Sequence, residues 1–349
     1  MDITTAALLA QDGITSGAVY GLLALALVLV FSVTRVIFLP QGEFVAYGGL
    51  TLAAMQAGHA PQTSLLLVGM GVLTFIFDVV AVMRSHDLRR AAPRRIGVLA
   101  VKYLLFPVAV HLSAQTWGGQ QVPMAVQVAL TLLIIIPLGP MLYRVAYQPL
   151  AEASTLVLLI VSVGVHFALV GLGLVMFGAE GSRTASFSEA FFELGTINVS
   201  GQSLWVVGVA GLLIAALYFY FERTLPGKAL RATAVNRLGA RLVGIGTTQA
   251  GRLSFTLAAA IGALCGVLIS PLTTVYYESG FLVGLKGFVG AIVGGLVSYP
   301  LAAAGALLVG LLESYSSFWA SAYKEVIVFT LIIPVLLWRS VVSKPAEEE

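Results

Sequence analysis

Long apolar runs separated by short polar segments make up most of this chain. A helix needs about 20 apolar residues to cross a bilayer core of about 30 Å, and most of the runs reach or approach that length. Apolar and polar residues do not alternate within the runs, which favours membrane-spanning helices over β-strands. The runs cover residues 14–33, 42–57, 63–83, 97–114, 123–143, 155–177, 204–221, 253–275, 284–299, 301–318 and 323–338. The short runs 42–57 and 284–299 are predicted to be half-helices or tilted insertions.

Composition supports the same fold class. Of the 349 residues, 59% are hydrophobic and only 10% are charged, whereas an average soluble domain is about 25% charged. So few charges exclude a water-soluble fold of this size. We therefore predict an all-α polytopic membrane protein in which residues 1–349 form a single transmembrane domain, a helical bundle of roughly 10–11 transmembrane helices, some of them broken or short.

The basic residues indicate an orientation. Arginines concentrate in loop 84–96, and loop 222–252 carries six basic residues against the single acid Glu222. Because loops rich in Lys and Arg stay in the cytoplasm, both loops are predicted to be cytoplasmic, which places the N-terminus outside and the C-terminus inside. Loop 178–203, which is polar and rich in Ser and Thr, then lies outside and is predicted to form a small β-hairpin.

Two interruptions of the apolar pattern are candidates for a transport path. Residues 40–44 read PQGEF, and residues 284–288 read GLKGF. Glu43 fits a capping role in the first turn of a helix, but a pair of interrupted helices also fits a transport path at the centre of the membrane. The candidate path residues are Gln41, Gly42, Glu43, Gly287, Phe288 and Gly290.

A few charged or titratable side chains fall within apolar runs, where they are costly unless they have a partner or a function. Asp78 and Lys102 lie on neighbouring predicted helices and are expected to pair. His166 is expected to be a hydrogen-bonded packing residue rather than a proton relay. Glu313 has no obvious partner in the sequence, and Lys286 is expected to anchor the chain at the outer interface.

The sequence contains no motif for enzymatic chemistry. It has no G-x-x-x-x-G-K-[ST] motif, so the chain is not expected to hydrolyse ATP through a P-loop. It also lacks a Ser/His/Asp set, an H-E-x-x-H motif and any Cys/His spacing typical of a metal site. We therefore expect neither an enzyme nor a cofactor or metal ion, and the one cysteine, Cys265, is expected to be a buried packing residue.

Several segments together resemble one family. QGEFVAYGG, YRVAYQPLAEASTLVLLIVSVGV, LRATAVNRLGARLVGIGT and GLKGFVGAIVGGLVSYPLAAAGALLVGLLESY are similar, in that order, to segments of the branched-chain amino acid permeases of ABC importers (the LivH type). The resemblance covers roughly residues 12–58 and 123–340. Residues 59–122 depart from the family pattern and are predicted to be an extra helical hairpin. Two added helices leave the topology unchanged.

The resemblance implies a set of partners. They are a homologous second permease subunit (LivM-like), two cytosolic ABC ATPases and a periplasmic substrate-binding protein, in addition to membrane lipids; no nucleic acid is implied. Residues 231–246 would form a helix that docks on an ATPase, although a basic helix that binds anionic lipid is an alternative. The implied ATPase-coupling residues are Arg231, Ala232, Ala234, Asn236, Arg237, Gly239, Ala240, Arg241 and Gly244.

The implied function is that of a transmembrane permease subunit in the bacterial inner membrane. It would import branched-chain or related amino acids and couple ATP hydrolysis by its partners to alternating access. Two alternatives remain open at this stage: an ABC permease for urea or a short amide, and a stand-alone secondary transporter.

Overall fold

The computed structural model describes residues 2–84, 92–118, 122–194 and 197–342. Its helices are α1 Ile3–Thr34, α2 Gln41–Gln56, α3 Thr63–Arg84, α4 Ala92–Ala100, α5 Phe106–Gly118, α6 Met124–Ile135, α7 Leu138–Leu142, α8 Thr155–Phe177, α9 Gly201–Arg223, α10 Leu225–Val235, α11 Arg237–Leu242, α12 Thr247–Ile269, α13 Ser279–Val293, α14 Tyr299–Trp319, α15 Lys324–Thr330 and α16 Ile332–Val342, and its strands are β1 Phe191–Leu194 and β2 Ile197–Ser200. The turn of π-helix Val101–Leu105 joins α4 to α5, and a second one, Tyr143–Tyr147, follows α7.

The helices confirm the predicted fold class. Within the described residues, nine helical stretches are long and apolar enough to cross a membrane, and α13 is a shorter apolar helix. The 16 residues of α2 and the 15 of α13 span only about 24 and 22 Å at 1.5 Å per residue. Neither reaches the thickness of the bilayer core, as expected for the two interrupted runs.

Helix α1 lies at the centre of the bundle. In its most apolar window, 78% of residues are buried within the chain, against 11% for α9. A helix that is apolar all round must be surrounded by other helices or by lipid. Because α12, α13 and α14 pack around α1, its side chains form the core, while α9 presents most of its apolar surface outward.

The two ends of the bundle differ in structure and charge. One end, the hairpin end, carries residues 178–200, in which β1 and β2 pair as the predicted antiparallel hairpin. Arg183 holds this segment to the end of α12 by donating to the carbonyl oxygens of Pro271 and Leu272 at 2.8 and 2.9 Å. The opposite end, the basic end, carries α10 and α11.

The predicted pair of Asp78 with Lys102 is wrong. The Asp78 carboxylate on α3 instead pairs with the Arg144 guanidinium after α7, and Arg252 of α12 lies 3.8 Å from the same carboxylate. Lys102 lies over the Tyr103 ring, 5.1 Å from its centroid. The ion pair therefore joins the predicted extra hairpin to the rest of the bundle. Residues 85–91, which include part of the basic loop 84–96, lie outside the described residues.

Candidate transport path and docking surface

The start of α2 lies deep in the bundle, against α12 and α13. The Gln41 side-chain amide donates to the Ala258 carbonyl oxygen at 2.9 Å, and Gln41 is fully buried. Gly42 meets the backbone of Gly280 and Gly284 so closely that a Cβ at position 42 would overlap the Gly280 carbonyl. The two interrupted helices, predicted from separate segments of the sequence, therefore cross each other directly at glycines.

Glu43 does not cap its helix. Residue Pro40 occupies the N-cap of α2, and no side chain caps it. The Glu43 carboxylate instead lies 2.9 Å from Nδ1 of His166 on α8, and both residues are buried. The second oxygen of Glu43 has no hydrogen-bond partner among the described residues. Since a buried charge away from water is costly unless it is paired, this contact fixes α2 against α8 and makes His166 part of the candidate site.

The other candidate path residues lie on different faces of α13. Gly287 packs against Leu23 of α1, and Gly290 packs against Ala306 of α14. Phe288 is partly buried and contacts the main apolar core. The structure thus brings Gln41, Gly42 and Glu43 together, whereas Gly287, Phe288 and Gly290 occupy helix-packing positions around α13.

Lys286 forms a charge cluster that the sequence did not predict. Instead of anchoring at the interface, Lys286 is 5% exposed and its ammonium lies 2.6 Å from Glu313 and 3.2 Å from Glu325. The Tyr20 hydroxyl donates to the other oxygen of Glu313 at 2.6 Å. The cluster therefore ties α13, α14, α15 and α1 together, and it supplies the partner that Glu313 lacked in the sequence.

Segment 231–246 does not form the single helix that we predicted. Helix α10 ends at Val235, and Asn236 starts α11 because its side chain accepts a hydrogen bond from the Gly239 amide at 2.8 Å. A turn through Gly244, whose φ is +85°, then leads into α12. Asn is a preferred N-cap residue, so the break has a local cause that the sequence carried.

The two short helices enclose a groove at the basic end. It has a volume of about 480 Å³ and is lined by Lys228, Arg231, Ala232, Val235, Asn236, Gly239, Ala240 and Val243. Most of the predicted coupling residues therefore lie along one groove, but Ala240 is only 4% exposed and packs inward. Ala234 packs against a small core cluster that includes Leu230 and Ala250.

The arginines of this segment are partly used within the chain. Arg231 pairs with Glu222 at 2.8 Å and Arg241 with Glu152 at 3.0 Å, both on the exposed surface. Arg237 donates to the Ala151 carbonyl oxygen at 3.0 Å. These contacts link α10 and α11 to neighbouring segments. Exposed ion pairs contribute little to stability, so Arg231 and Arg241 could exchange their present partners for those of another protein at small cost.

Exposed aliphatic side chains are the strongest feature of the surface at the basic end, and sequence reasoning missed them. Val235 and Val243, which line the groove, are 83% and 76% exposed, and Leu238 and Leu242 of α11, outside its lining, are 68% and 80% exposed. An apolar patch beside charged side chains is typical of a protein interaction surface. No signal in the sequence separates these residues from core residues, because both have the same side chains.

Among the described residues, no group of three or more His, Cys, Asp or Glu side chains has a geometry that would hold a metal ion. The residues of interest are therefore a buried polar site around Glu43, a buried charge cluster around Lys286, and an exposed groove at the basic end.

Comparison with known proteins identifies the family. The chain is 29% identical to the high-affinity branched-chain amino acid transport system permease protein BraD of Pseudomonas aeruginosa over 258 residues, which cover 71% of this chain and 83% of BraD. It is 32% identical to the permease protein LivH of Escherichia coli over 206 residues, 56% of this chain and 65% of LivH. A solved structure, PsaBC from Streptococcus pneumoniae in complex with Fab, aligns with a TM-score of 0.36 and 13% identity over 96% of this chain and 91% of that one, and we draw no conclusion from it.

The family profile described as "Branched-chain amino acid transport system / permease component" matches residues 9–336. This range contains the buried site at α2, the Lys286 cluster and the groove at the basic end. The match covers nearly all of the chain, and the protein therefore belongs to the family of permease components of branched-chain amino acid transport systems.

Proposed function

We propose that this chain is the membrane-spanning subunit of an ATP-driven importer for branched-chain or related amino acids in the bacterial inner membrane. The observation that carries the proposal is the groove between α10 and α11, which is lined by the exposed Val235 and Val243, with the exposed Leu238 and Leu242 on α11 outside its lining. Membership in a family of transport-system permease components supports the transport role. The groove is a surface on which an ATPase could dock. A second permease subunit, two ATPases and a periplasmic binding protein complete the proposed assembly.

Packing contacts and a hydrogen bond connect the groove to the buried site around Glu43. Leu230 of α10 packs with Leu29 and Val33 of α1 and with Ala250 of α12. Helix α12 accepts the Gln41 hydrogen bond through Ala258. Closure of the ATPases would shift α10 and α11, and this shift would reach α2 through α1 and α12. Access would then switch between two conformations that the partners stabilise differently, with no covalent step in this chain.

Reconstitution tests the proposed function. We expect proteoliposomes that contain the chain, its partner permease and both ATPases to accumulate leucine only when ATP and the binding protein are present. Uptake driven by an ion gradient, without ATPases, would contradict the proposal and favour a stand-alone transporter. Uptake of urea or acetamide in place of leucine would assign the alternative cargo. The matched control is the same complex with ATPases that bind ATP but do not hydrolyse it.

The orientation of the chain is open to a separate test. The single native cysteine, Cys265, is fully buried, so an engineered cysteine at an exposed position can be labelled without background. In spheroplasts, we expect a membrane-impermeant maleimide to label Glu180→Cys directly but to label Val243→Cys only after permeabilisation, because the basic end faces the cytoplasm. The reverse pattern would place the groove on the outer face and rule out docking of a cytosolic ATPase.

A further inference from the structure

The helical hairpin α3–α5, the segment predicted as an addition to the family pattern, has an outward surface that the proposed function does not use. Only 28% of residues in the most apolar window of α3 are buried within the chain, and only 17% in that of the helical stretch Pro93–Gly118. The side chains of Val98, Val101 and Leu105 are 63%, 57% and 62% exposed. A helix surface this apolar faces lipid or another protein rather than water.

Arginines lie at one end of this helical hairpin. Arg84 ends α3, and Arg94 and Arg95 lie in the first turn of α4; all three are exposed. Asp78, less than two turns before the end of α3, lies 3.8 Å from Arg252 in the second turn of α12. Since α12 begins directly after α11, the three arginines belong to the basic end of the bundle.

The chain does not neutralise these arginines. Among the described residues, the side chains of Arg84, Arg94 and Arg95 have neither a hydrogen-bond nor an ion-pair partner. The one acid in the described part of the helical hairpin, Asp78, is paired with Arg144 outside it. This end of the helical hairpin therefore carries a positive charge that is free to attract an anion.

Lys102 adds a positive charge farther along the same helix. It follows Arg95 by seven residues, which is two turns or about 11 Å at 1.5 Å per residue. Its side chain is exposed, and its ammonium lies over the Tyr103 ring, without an acidic partner in the described part of the chain. Side chains of a helix lean towards its N-terminus, so Lys102 leans towards Arg95. A lysine at this depth in a membrane is costly unless an anion or water meets it.

The turn of π-helix Val101–Leu105 fixes the outward direction of Lys102. Pro107 has no N–H to donate to the Tyr103 carbonyl oxygen four residues earlier, which permits this wider turn. Gly71 of α3 packs on the turn so closely that a Cβ at position 71 would overlap the Tyr103 carbonyl oxygen. Tyr103 is 5% exposed and packs inward, and its neighbour Lys102 is left on the outer side.

Charge and apolar surface follow each other along α4 in the order found in a phospholipid. Arg94 and Arg95 lie at the end of the helical hairpin, and the exposed Val98 and Val101 follow them along the helix. An anionic phospholipid has a phosphate at the membrane surface and acyl chains below it, and basic residues beside a membrane helix attract such lipids. A protein partner would need an acid within its own membrane-facing surface to meet Lys102, which is costly before the two proteins bind.

We propose that this face of the helical hairpin binds an anionic phospholipid such as phosphatidylglycerol, with the phosphate between Arg95 and Lys102 and the acyl chains along Val98, Val101 and Leu105. The inference goes beyond the proposed function, because it gives a ligand to a segment that contacts neither the groove at the basic end nor the site around Glu43. It does not depend on the docking of an ATPase.

Lipid contact at this face can be measured with a fluorophore and with brominated lipids, which quench fluorescence on contact. Cys265 is fully buried, so a bimane on Val98→Cys reports this face alone. The matched control is Ile160→Cys on the outward face of α8, because both native side chains are 63% exposed. The purified chain, with the subunits that co-purify, is placed in phosphatidylcholine vesicles that contain a small fraction of brominated lipid. We expect phosphatidylglycerol to be enriched over phosphatidylcholine by roughly fivefold at Val98→Cys and not at Ile160→Cys.

Charge substitutions assign the contacts. Added to Val98→Cys, Lys102→Met and Arg95→Gln each remove one positive charge from an exposed position, and each is expected to lower the enrichment to below roughly twofold. Lys102→Arg keeps the charge and should keep the enrichment. Arg223→Gln, which removes an exposed arginine at the end of α9, should not change it.

Each outcome decides the inference. Equal quenching by the two lipids at Val98→Cys, or the same enrichment in both Lys102→Met and Arg95→Gln, would overturn it. Quenching by neither lipid would show that another protein covers this face, and would overturn it as well. The measurement needs neither ATP nor transport, so its failure leaves the proposed function standing, and a failure of leucine uptake leaves the lipid site standing.

Discussion

The double variant Val235→Glu and Val243→Glu is expected to lose its ATPases and, with them, all ATP-driven uptake. Both side chains line the groove and are 83% and 76% exposed, so the changes remove no packing within the chain. A docked partner would bury both positions, and burying two unpaired carboxylates against an apolar surface is costly. We expect affinity for the ATPase to fall by at least roughly thirtyfold, which corresponds to about 2 kcal/mol. Co-purification from detergent and uptake in proteoliposomes provide the two measurements.

The matched control for this double variant is Thr248→Glu. Thr248 is exposed at the same end, in the first turn of α12 and outside the groove, where an acid is compatible with the helix dipole. Its ATPase association and uptake should remain as in the unmodified chain. Ala240→Glu is a poor probe because Ala240 is buried and the change would disturb folding. Normal ATPase recovery by the double variant, with membrane insertion intact, would show that the groove does not dock an ATPase.

The sequence was sufficient to predict the spans, because each long run of apolar residues has only a helix available to it in a bilayer. The helices of the described residues overlap the predicted runs, but their bounds differ: α13 covers Ser279–Val293 where the run covers 284–299, and the run 323–338 is divided between α15 and α16. The β-hairpin was also predictable from its β-branched and polar composition. These features depend on residues that are close together in the chain, and such local features can be predicted from a single sequence.

The charge contacts were not predictable, because each one joins residues far apart in the chain. Glu43 and His166 are separated by 123 positions, and Lys286 meets acids on two later helices. The prediction for Asp78 chose the nearest helix in sequence, whereas the actual partner, Arg144, comes from a helix beyond it. In a helical bundle, proximity along the chain says little about which helix faces pack together.

The helix break at Asn236 was also not predicted from the sequence, for a different reason. The segment has the small and basic residues of a surface helix and contains no proline after Pro226, so its composition favours one continuous helix. The Asn236 cap nevertheless ends α10 and starts α11. The change matters for function, because two short helices set at a turn form a groove, whereas a single helix would present only a ridge.

Gly42→Ala is expected to destabilise the chain strongly, because it adds a methyl group at a close crossing of two helices. The new Cβ would overlap the Gly280 carbonyl, and neither backbone can move without separating α2 from α13. We expect the free energy of unfolding to fall by about 3 kcal/mol and the midpoint of thermal unfolding in detergent to fall with it.

Gly21→Ala is the matched control. Gly21 is also buried in a helix, but no atom lies within 4 Å of its added Cβ. The variant should therefore be as stable as the unmodified chain or gain up to about 1 kcal/mol. A Gly42→Ala chain that unfolds at the same temperature as the Gly21→Ala chain yet fails to transport would instead mean that position 42 lines the transport path rather than the crossing of α2 and α13.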